Sequence, residues 1–288
     1  MARGMSRRGH DVVALVRQTR PTALERQQGI RIVQIDLAKP GRNLAGPYDG
    51  ILHCAAAIPS VVRDENELIR INVESSRRLF DPALLSTSPV IIFCSSMSVY
   101  GHIVDDVVTE STAIRDPGAY GRAKLECEGL LHEFSCAHRE LRALSIRLPG
   151  VVGPGSHDNF LADTKARLAA GEQVIVRNPE ALFNNVVHVD DLERFTQHLL
   201  NSLPAGHRVT TVASEHPLPI RKVVDVLEIA AGRRGEVRYK RGGRSFLISS
   251  ANARTLGYIP ATVQNAVERF AAIPLESGFR GTGKIVPS

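Results

Sequence analysis

Tyr120 and Lys124 stand four residues apart in "AYGRAK", a spacing that places both side chains on one face of a helix. An ammonium group beside a phenol favours the phenolate and lowers its pKa, which makes tyrosine usable as a proton donor and acceptor near neutrality. Twenty-four residues upstream, "SSMSVYG" closes an apolar run and offers Ser96, whose hydroxyl can donate to a substrate oxygen or cap a turn. A phenol, an ammonium and a hydroxyl together suit proton transfer to or from a substrate oxygen. They need a scaffold that brings them together.

The sequence supplies the parts of such a scaffold. Continuous apolar runs rich in β-branched residues recur at "DVVALVR", "IRIVQIDL", "DGILHCAA", "PVIIFCSS" and "LRALSIRLP", the pattern of strands buried on both faces. Between them, "NELIRINVESSRRLFDPALL" and "YGRAKLECEGLLHEFSCAHREL" carry apolar residues at helical spacing. Strands alternating with helices predict βαβ units and a doubly wound parallel sheet of Rossmann type. Beyond Pro149 the pattern loosens into a helix at "FLADTKARLAAG", a strand at "EQVIV" and late helices at "IRKVVDVLEIAAG" and "TVQNAVERFAA". The expected division is 1–150 for a dinucleotide-binding domain, 151–275 for a smaller α/β lobe roofing the strand ends, and 276–288 for a tail.

These motifs together resemble the extended short-chain dehydrogenase/reductases, the NAD-dependent epimerase/dehydratase family. "SSMSVYG" followed by "YGRAK" is similar to that family's active-site pair. "IDLAKP", "ILHCAAA", "INVESSRRL", "RLPGVVGPG", "VVHVDDL" and "LGYIP" follow in the family's order, so the similarity covers nearly the whole chain. It implies that Tyr120 is the general acid/base, that Lys124 lowers its pKa and holds the nicotinamide ribose, and that Ser96 polarises the substrate oxygen. Asp36 and Leu37 match positions flanking the adenine. Cys54, Ala55, Ala56 and Ile58 match the strand end beside the cofactor, and Asn72 matches a helix asparagine near the site. Pro149 and Val151 belong to the loop over the nicotinamide. Asn159 and Arg241 sit where the resemblance puts groups that contact a nucleotide-bearing substrate.

Cofactor choice reads from the end of the second strand, where an acid takes the ribose hydroxyls of NAD and an arginine accommodates the 2′-phosphate of NADP. In "LVRQTR" Val16 takes the acid's place and Arg17 follows, favouring NADP over NAD, with Arg17 and Arg20 as solvated loop charges the plainer alternative. The family's Gly-x-x-Gly-x-x-Gly turn is not in the sequence, since "MARGMSRRGHDV" corresponds to residues just past its third glycine. The expectation is a sheet lacking its central strand between "DVVALVR" and "GILHCAA", from a start codon assigned too late or in a chain that binds cofactor poorly. Nucleotide-sugar members of the family carry an arginine four residues before the histidine of "HVDD"; here Asn184 stands there. That departure brings forward an NADPH-dependent ketone or aldehyde reductase as the alternative substrate reading. A non-catalytic Rossmann-fold remnant or regulator is the alternative from another class.

Composition bounds the rest. The chain has 288 residues, 43% of them hydrophobic and 23% charged, within the range of globular proteins. A net charge of +6 is spread along the chain with few aromatics, which argues against nucleic acid and suits small anionic ligands. The four cysteines form no CxxC pair; Cys54 and Cys94 lie in strand-like runs where a reduced thiol serves as a small hydrophobe. No run spans a bilayer and no signal-peptide core precedes the first strand, so a cytoplasmic, disulfide-free protein is expected, with a small-molecule substrate and, by family analogy, a homodimer. "HEFSCAH" imitates a zinc helix, but cysteine replaces its second histidine, and no metal site is expected.

Overall fold

The computed structural model describes residues 1–17, 28–39, 44–232 and 235–274. Arg20 and the expected tail 276–288 lie outside the described residues. In chain order the elements are α1 (Ala2–Arg7), β1 (Val12–Val16), β2 (Ile30–Gln34), β3 (Tyr48–His53), α2 (Glu65–Leu79), β4 (Leu85–Ser96), β5 (Val107–Val108), α3 (Ala119–Ala137), β6 (Arg142–Leu148) and β7 (Gly150–Val152). There follow α4 (Phe160–Ala169), β8 (Val174–Arg177), β9 (Leu182–Phe183), β10 (Val186–His188), α5 (Val189–Ser202), β11 (Gly206–Thr211), β12 (Leu218–Pro219), α6 (Ile220–Ala230), β13 (Val237–Lys240), β14 (Leu247–Ile248), α7 (Ala251–Thr255) and α8 (Val263–Ala271). The chain divides into two compact units: Met1–His102, Ile114–Arg147 and Leu192–Thr210 form the first, and Ile103–Ala113, Leu148–Asp191 and Thr211–Ser288 form the second.

In the first unit the strands run in the order β11-β6-β4-β3, with β3 and β4 parallel from Gly50↔Val90 to His53↔Phe93. The apolar run Val90–Phe93 is fully buried, as a central strand's continuous hydrophobicity requires. Helix α2 starts where the Asp64 carboxylate accepts from the Glu67 N–H at 2.7 Å and carries Glu65 and Glu67 in its first turn, where acids complement the helix dipole. It ends before "DP", because a proline two residues on cannot continue the helix. Val73, Leu79 and Phe80 from α2 and its end meet Ile91 and Phe93 of β4 and Cys127 and Leu131 of α3 in one core.

β1 and β2 pair in parallel as a separate two-stranded ribbon. Among the described residues β1 pairs only with β2, and β3 only with β4. All five residues of the apolar β1 are half-buried.

The second unit holds short pairs: β7 with β10, β8 with β13 and β5 with β14 in parallel, and β9 with β12 antiparallel. α4, α6 and α8 enclose its core of Val152, Leu161, Val186, Val223, Leu227 and Phe270. Among the described residues no helix is long and apolar enough to cross a membrane.

Candidate active site

The site begins where β4 stops. Ser96 caps a 3-10 turn over Met97–Tyr100: its Oγ accepts the Ser98 N–H at 3.1 Å and donates to Ser98 Oγ at 3.1 Å. Gly101 leaves that turn with φ 61°, and a Cβ there would come within 2.2 Å of the Arg115 carbonyl oxygen, so only glycine fits without displacement. Beneath the turn, Ser95 donates to the Glu128 carboxylate, which takes two hydrogen bonds from Arg147 at 3.0 and 2.7 Å. Arg147 also donates to the Tyr100 hydroxyl at 2.9 Å. Burial opposes the Arg147 charge, but the bonds to Glu128 and Tyr100 prevail and raise its pKa above the ordinary guanidinium value. This buried network ties β4, α3, β6 and the turn into one arrangement.

Helix α3 brings the Tyr–Lys pair to that turn. A Cβ on Gly121 would lie 2.1 Å from the Ser98 carbonyl oxygen, so the helix start and the Ser96-capped turn meet backbone to backbone. One turn further, Lys124 is 3% exposed; its ammonium donates to the Cys94 carbonyl at 2.7 Å and lies 4.7 Å from the Phe93 ring centre and 5.6 Å from that of Tyr120. The expected geometry of one shared helix face is present. The expected electrostatics are not: burial pushes the Tyr120 phenol up to about 12, and burial also lowers Lys124. The ammonium sits over the ring and spends a proton on a carbonyl, so the cost of desolvating a phenolate outweighs its attraction.

The residues expected on the cofactor side follow the ends of β1, β2 and β3 or lie on α2. Cys54, Ala55 and Ala56 are exposed beyond β3, and Ile58 is half-buried. The turn they enter is held by Asn72, 4% exposed, whose amide accepts from the Ala57 N–H and donates to the Ala57 carbonyl, both at 3.0 Å, with a further bond to the Leu68 carbonyl at 2.9 Å. Asp36 shapes the turn after β2 by accepting the Ala38 N–H at 3.1 Å, and Leu37 packs on the core beside it. Arg17 is exposed directly after β1. Cys54 departs from the expected buried hydrophobe: it is exposed just past the end of β3, and Cys94, within β4, is half-buried.

In the second unit Pro149 precedes β7, and Val151 within it pairs with Val187. Asn159 caps α4 by accepting the Ala162 N–H at 3.0 Å and donates to Val151, Ser156 and His157, so its amide is occupied in holding its own loop. Arg241 is exposed after β13. Asn184 makes a reciprocal pair with the Ile248 backbone, at 2.8 and 2.9 Å, which gives it a local fastening role. His188 Nδ1 accepts from the Asp190 N–H at 3.2 Å and faces Arg269 at 2.8 Å, as a structural hydrogen bonder does. On α3, His132 and Cys136 stand 3.7 Å apart, and no cluster of three metal-ligating side chains occurs among the described residues.

Sequence reasoning overlooked Gly121, Glu128 and Arg147. Gly121 lies inside the quoted "YGRAK", and a glycine in a helix's first turn beside the Tyr–Lys pair is a signal for close approach. Glu128 and Arg147 had no signal, since their pairing depends on β6 lying beside α3.

Three comparisons set the arrangement among known proteins. The model of the family described as "NAD dependent epimerase/dehydratase family" matches residues 1–212. The chain is 32% identical over 146 residues to Protein YeeZ of Escherichia coli K12, covering 50% of this chain and 47% of that protein. It is 27% identical over 237 residues to the 2′-dehydrokanamycin reductase of Streptomyces kanamyceticus, covering 81% of this chain and 63% of that one. It thus spans about half to two-thirds of these relatives' lengths. The UDP-Glc/GlcNAc 4-epimerase of Campylobacter jejuni superposes with a TM-score of 0.76 at 19% identity over 93% of each chain, a likeness of fold.

Proposed function

Since the chain belongs to the NAD dependent epimerase/dehydratase family, we propose that it transfers hydride between a nicotinamide cofactor and a carbonyl or secondary alcohol of a small molecule. The observation carrying this reading is the join of α3 to the end of β4: Gly121 against Ser98, and Lys124 bonded to the carbonyl two residues before Ser96. These contacts bring the helix start that carries Tyr120 to the turn that Ser96 caps.

The residues fit part of the cofactor. Cys54–Ala56 are small and exposed beyond β3, leaving that strand end open, and Asn72 fixes the turn after it. Arg17, exposed after β1, would meet a 2′-phosphate there, which supports NADP in this reading. These residues concern the nicotinamide and adenosine ends of the cofactor. When bound, the nicotinamide supplies or accepts the hydride.

The chain's own residues supply the rest. Tyr120, its phenol protonated well past neutrality, gives a proton to a substrate oxygen that gains charge. Ser96 donates a second hydrogen bond to that oxygen once its hydroxyl leaves Ser98. Lys124 holds a ribose hydroxyl and its own helix. A phenol that keeps its proton suits reduction, and Asn184, fastened to Ile248, leaves no arginine at the place where a diphosphate is held in nucleotide-sugar enzymes. The substrate reading is therefore a small ketone or aldehyde reductase. A nucleotide-sugar epimerase is the second reading, favoured by the fold likeness to the 4-epimerase. A cytoplasmic homodimer pairing through α2 and α3 belongs to the same proposal.

Titration of the purified chain with NADPH, followed by nicotinamide fluorescence, tests the cofactor. Steady-state oxidation of NADPH with ketones, aldehydes and UDP-sugars tests the substrate class. Tyr120→Phe is expected to lower kcat by about 10²–10⁴-fold with NADPH affinity within about twofold of wild type. A variant that turns over normally overturns the assignment.

A further inference from the structure

We propose that Cys54 and Cys94 form a modification site: a dithiol that hydroperoxides close to an intrachain disulfide. The inference does not depend on the hydride-transfer reading. β3 and β4 pair in parallel through His53↔Phe93, and Cys54, just past the end of β3, and Cys94, still within β4, directly follow that pair along their chains. Residues opposite one another on neighbouring strands point to the same face, and here the two sulfurs stand 3.5 Å apart. A disulfide needs about 2.05 Å between sulfurs and about 4.4–6.8 Å between α-carbons, a range that includes the ~4.8 Å spacing of paired strands. Closing the bond thus takes side-chain motion of about 1.5 Å at two strand ends.

Access and chemistry agree with that geometry. Cys54 is exposed and Cys94 half-buried, whereas Cys127 is buried in the core and bonded to Ser76. The hydrogen bond from Cys94, with the Lys124 charge nearby, lowers the Cys54 thiol to about 7, while the same partnership raises Cys94. Cys54, the more exposed of the two, is therefore the attacking thiolate and Cys94 the resolving thiol.

The steps balance. The Cys54 thiolate attacks one peroxide oxygen, the O–O bond breaks, and the departing oxygen takes a proton, giving Cys54 sulfenic acid and water, or an alcohol from an organic hydroperoxide. Cys94 then attacks the sulfenic sulfur. The S–S bond forms, the S–O bond breaks, and the leaving hydroxide takes the Cys94 proton as a second water. Two electrons pass from the thiols to the peroxide. Loss of the Cys54 negative charge in the first step removes one of the two causes that hold Cys94 protonated, burial being the other. A pair that thiol reductants reopen is the form disulfides take in reducing compartments.

The test uses the whole reduced chain and hydrogen peroxide. After stoichiometric treatment and non-reducing peptide mapping, we expect one linked peptide joining Cys54 to Cys94, a mass lower by two hydrogen atoms, and reversal by dithiothreitol. In Cys94→Ser, dimedone should trap Cys54 as its sulfenic acid, roughly tenfold above the Cys94 labelling in Cys54→Ser. Recovery of both thiols unlinked while Cys136 is oxidised, or a link through Cys127 or between two chains, overturns the proposal. Because the wild-type map decides alone, a variant that fails to fold leaves the result standing.

Discussion

Tyr120 is the residue at which spacing and environment part company. Helical geometry puts Lys124 one turn away, which by itself predicts an acidified phenol, yet Lys124 donates to the Cys94 carbonyl and both groups are desolvated. The raised phenol is protonated across the neutral range, so its availability as an acid does not decline between pH 7 and 9. The reductive kcat should be flat over that interval. A difference titration by tyrosinate absorbance, wild type minus Tyr120→Phe, should show one phenol ionising near pH 12 instead of at the ordinary value of about 10. A midpoint below 9 in that difference curve would return Lys124 to the role that its spacing first suggested. Lys124→Met tests the other half of the pair: it leaves the Cys94 carbonyl without its ammonium partner, and we expect a loss of about 1–3 kcal/mol in urea unfolding.

Elements, and not single side chains, set the precision of the site. Gly121→Ala adds one methyl group at a place where its carbon would be 2.1 Å from the Ser98 carbonyl oxygen, a backbone atom that cannot swing aside. Helix propensity favours the substitution by about 1 kcal/mol, while overpacking costs about 1–3 kcal/mol, so the net change should be destabilising and should separate α3 from the Ser96 turn. Thermal unfolding together with kcat measures this; a stabilised and fully active Gly121→Ala would mean that the two backbones do not need their contact. Asn72→Ala should cost a similar amount by stranding the Ala57 N–H and carbonyl. The strands and long helices were legible because continuous apolar runs and 3.6-residue spacing are local signals. The Tyr–Lys spacing and the Asn72 helix were legible for the same reason. What escaped was set by register between distant segments: Cys54 against Cys94, Glu128 against Arg147, and Asn184 against Ile248, in each case a contact between residues that no period in the sequence links.

At the scale of the molecule, the chain returns repeatedly between its two units, and the short segments Ile103–Ala113 and Leu192–Thr210 join the unit opposite to their sequence neighbours. Composition carries no mark of that exchange. It does carry two histidines whose burial in the first unit makes its stability depend on pH. His53 on β3 is 2% exposed, bonded through Nε2 to Ser76 Oγ at 2.9 Å and set against Phe80 and Phe93, and burial lowers it to about 3. His207 on β11 pairs with Ser145 at 2.9 Å, and burial lowers it to about 4. Folded, both stay neutral; unfolded, both take up a proton near the ordinary value of 6.5. Between those limits the unfolded chain binds more protons, so stability rises with pH. The contribution is complete above about 6.5 and is lost as pH falls through 6.5 toward 4 and 3, at about 1 kcal/mol per pH unit for each group. Urea midpoints measured from pH 7.5 down to 4.5 should fall steeply below 6.5 in the wild type. His53→Gln, which can still reach Ser76 but does not titrate, should show about half that slope, and His53→Gln with His207→Gln almost none. An undiminished slope in the double variant would place the acid sensitivity in carboxylates elsewhere and strip these two rings of the part assigned to them.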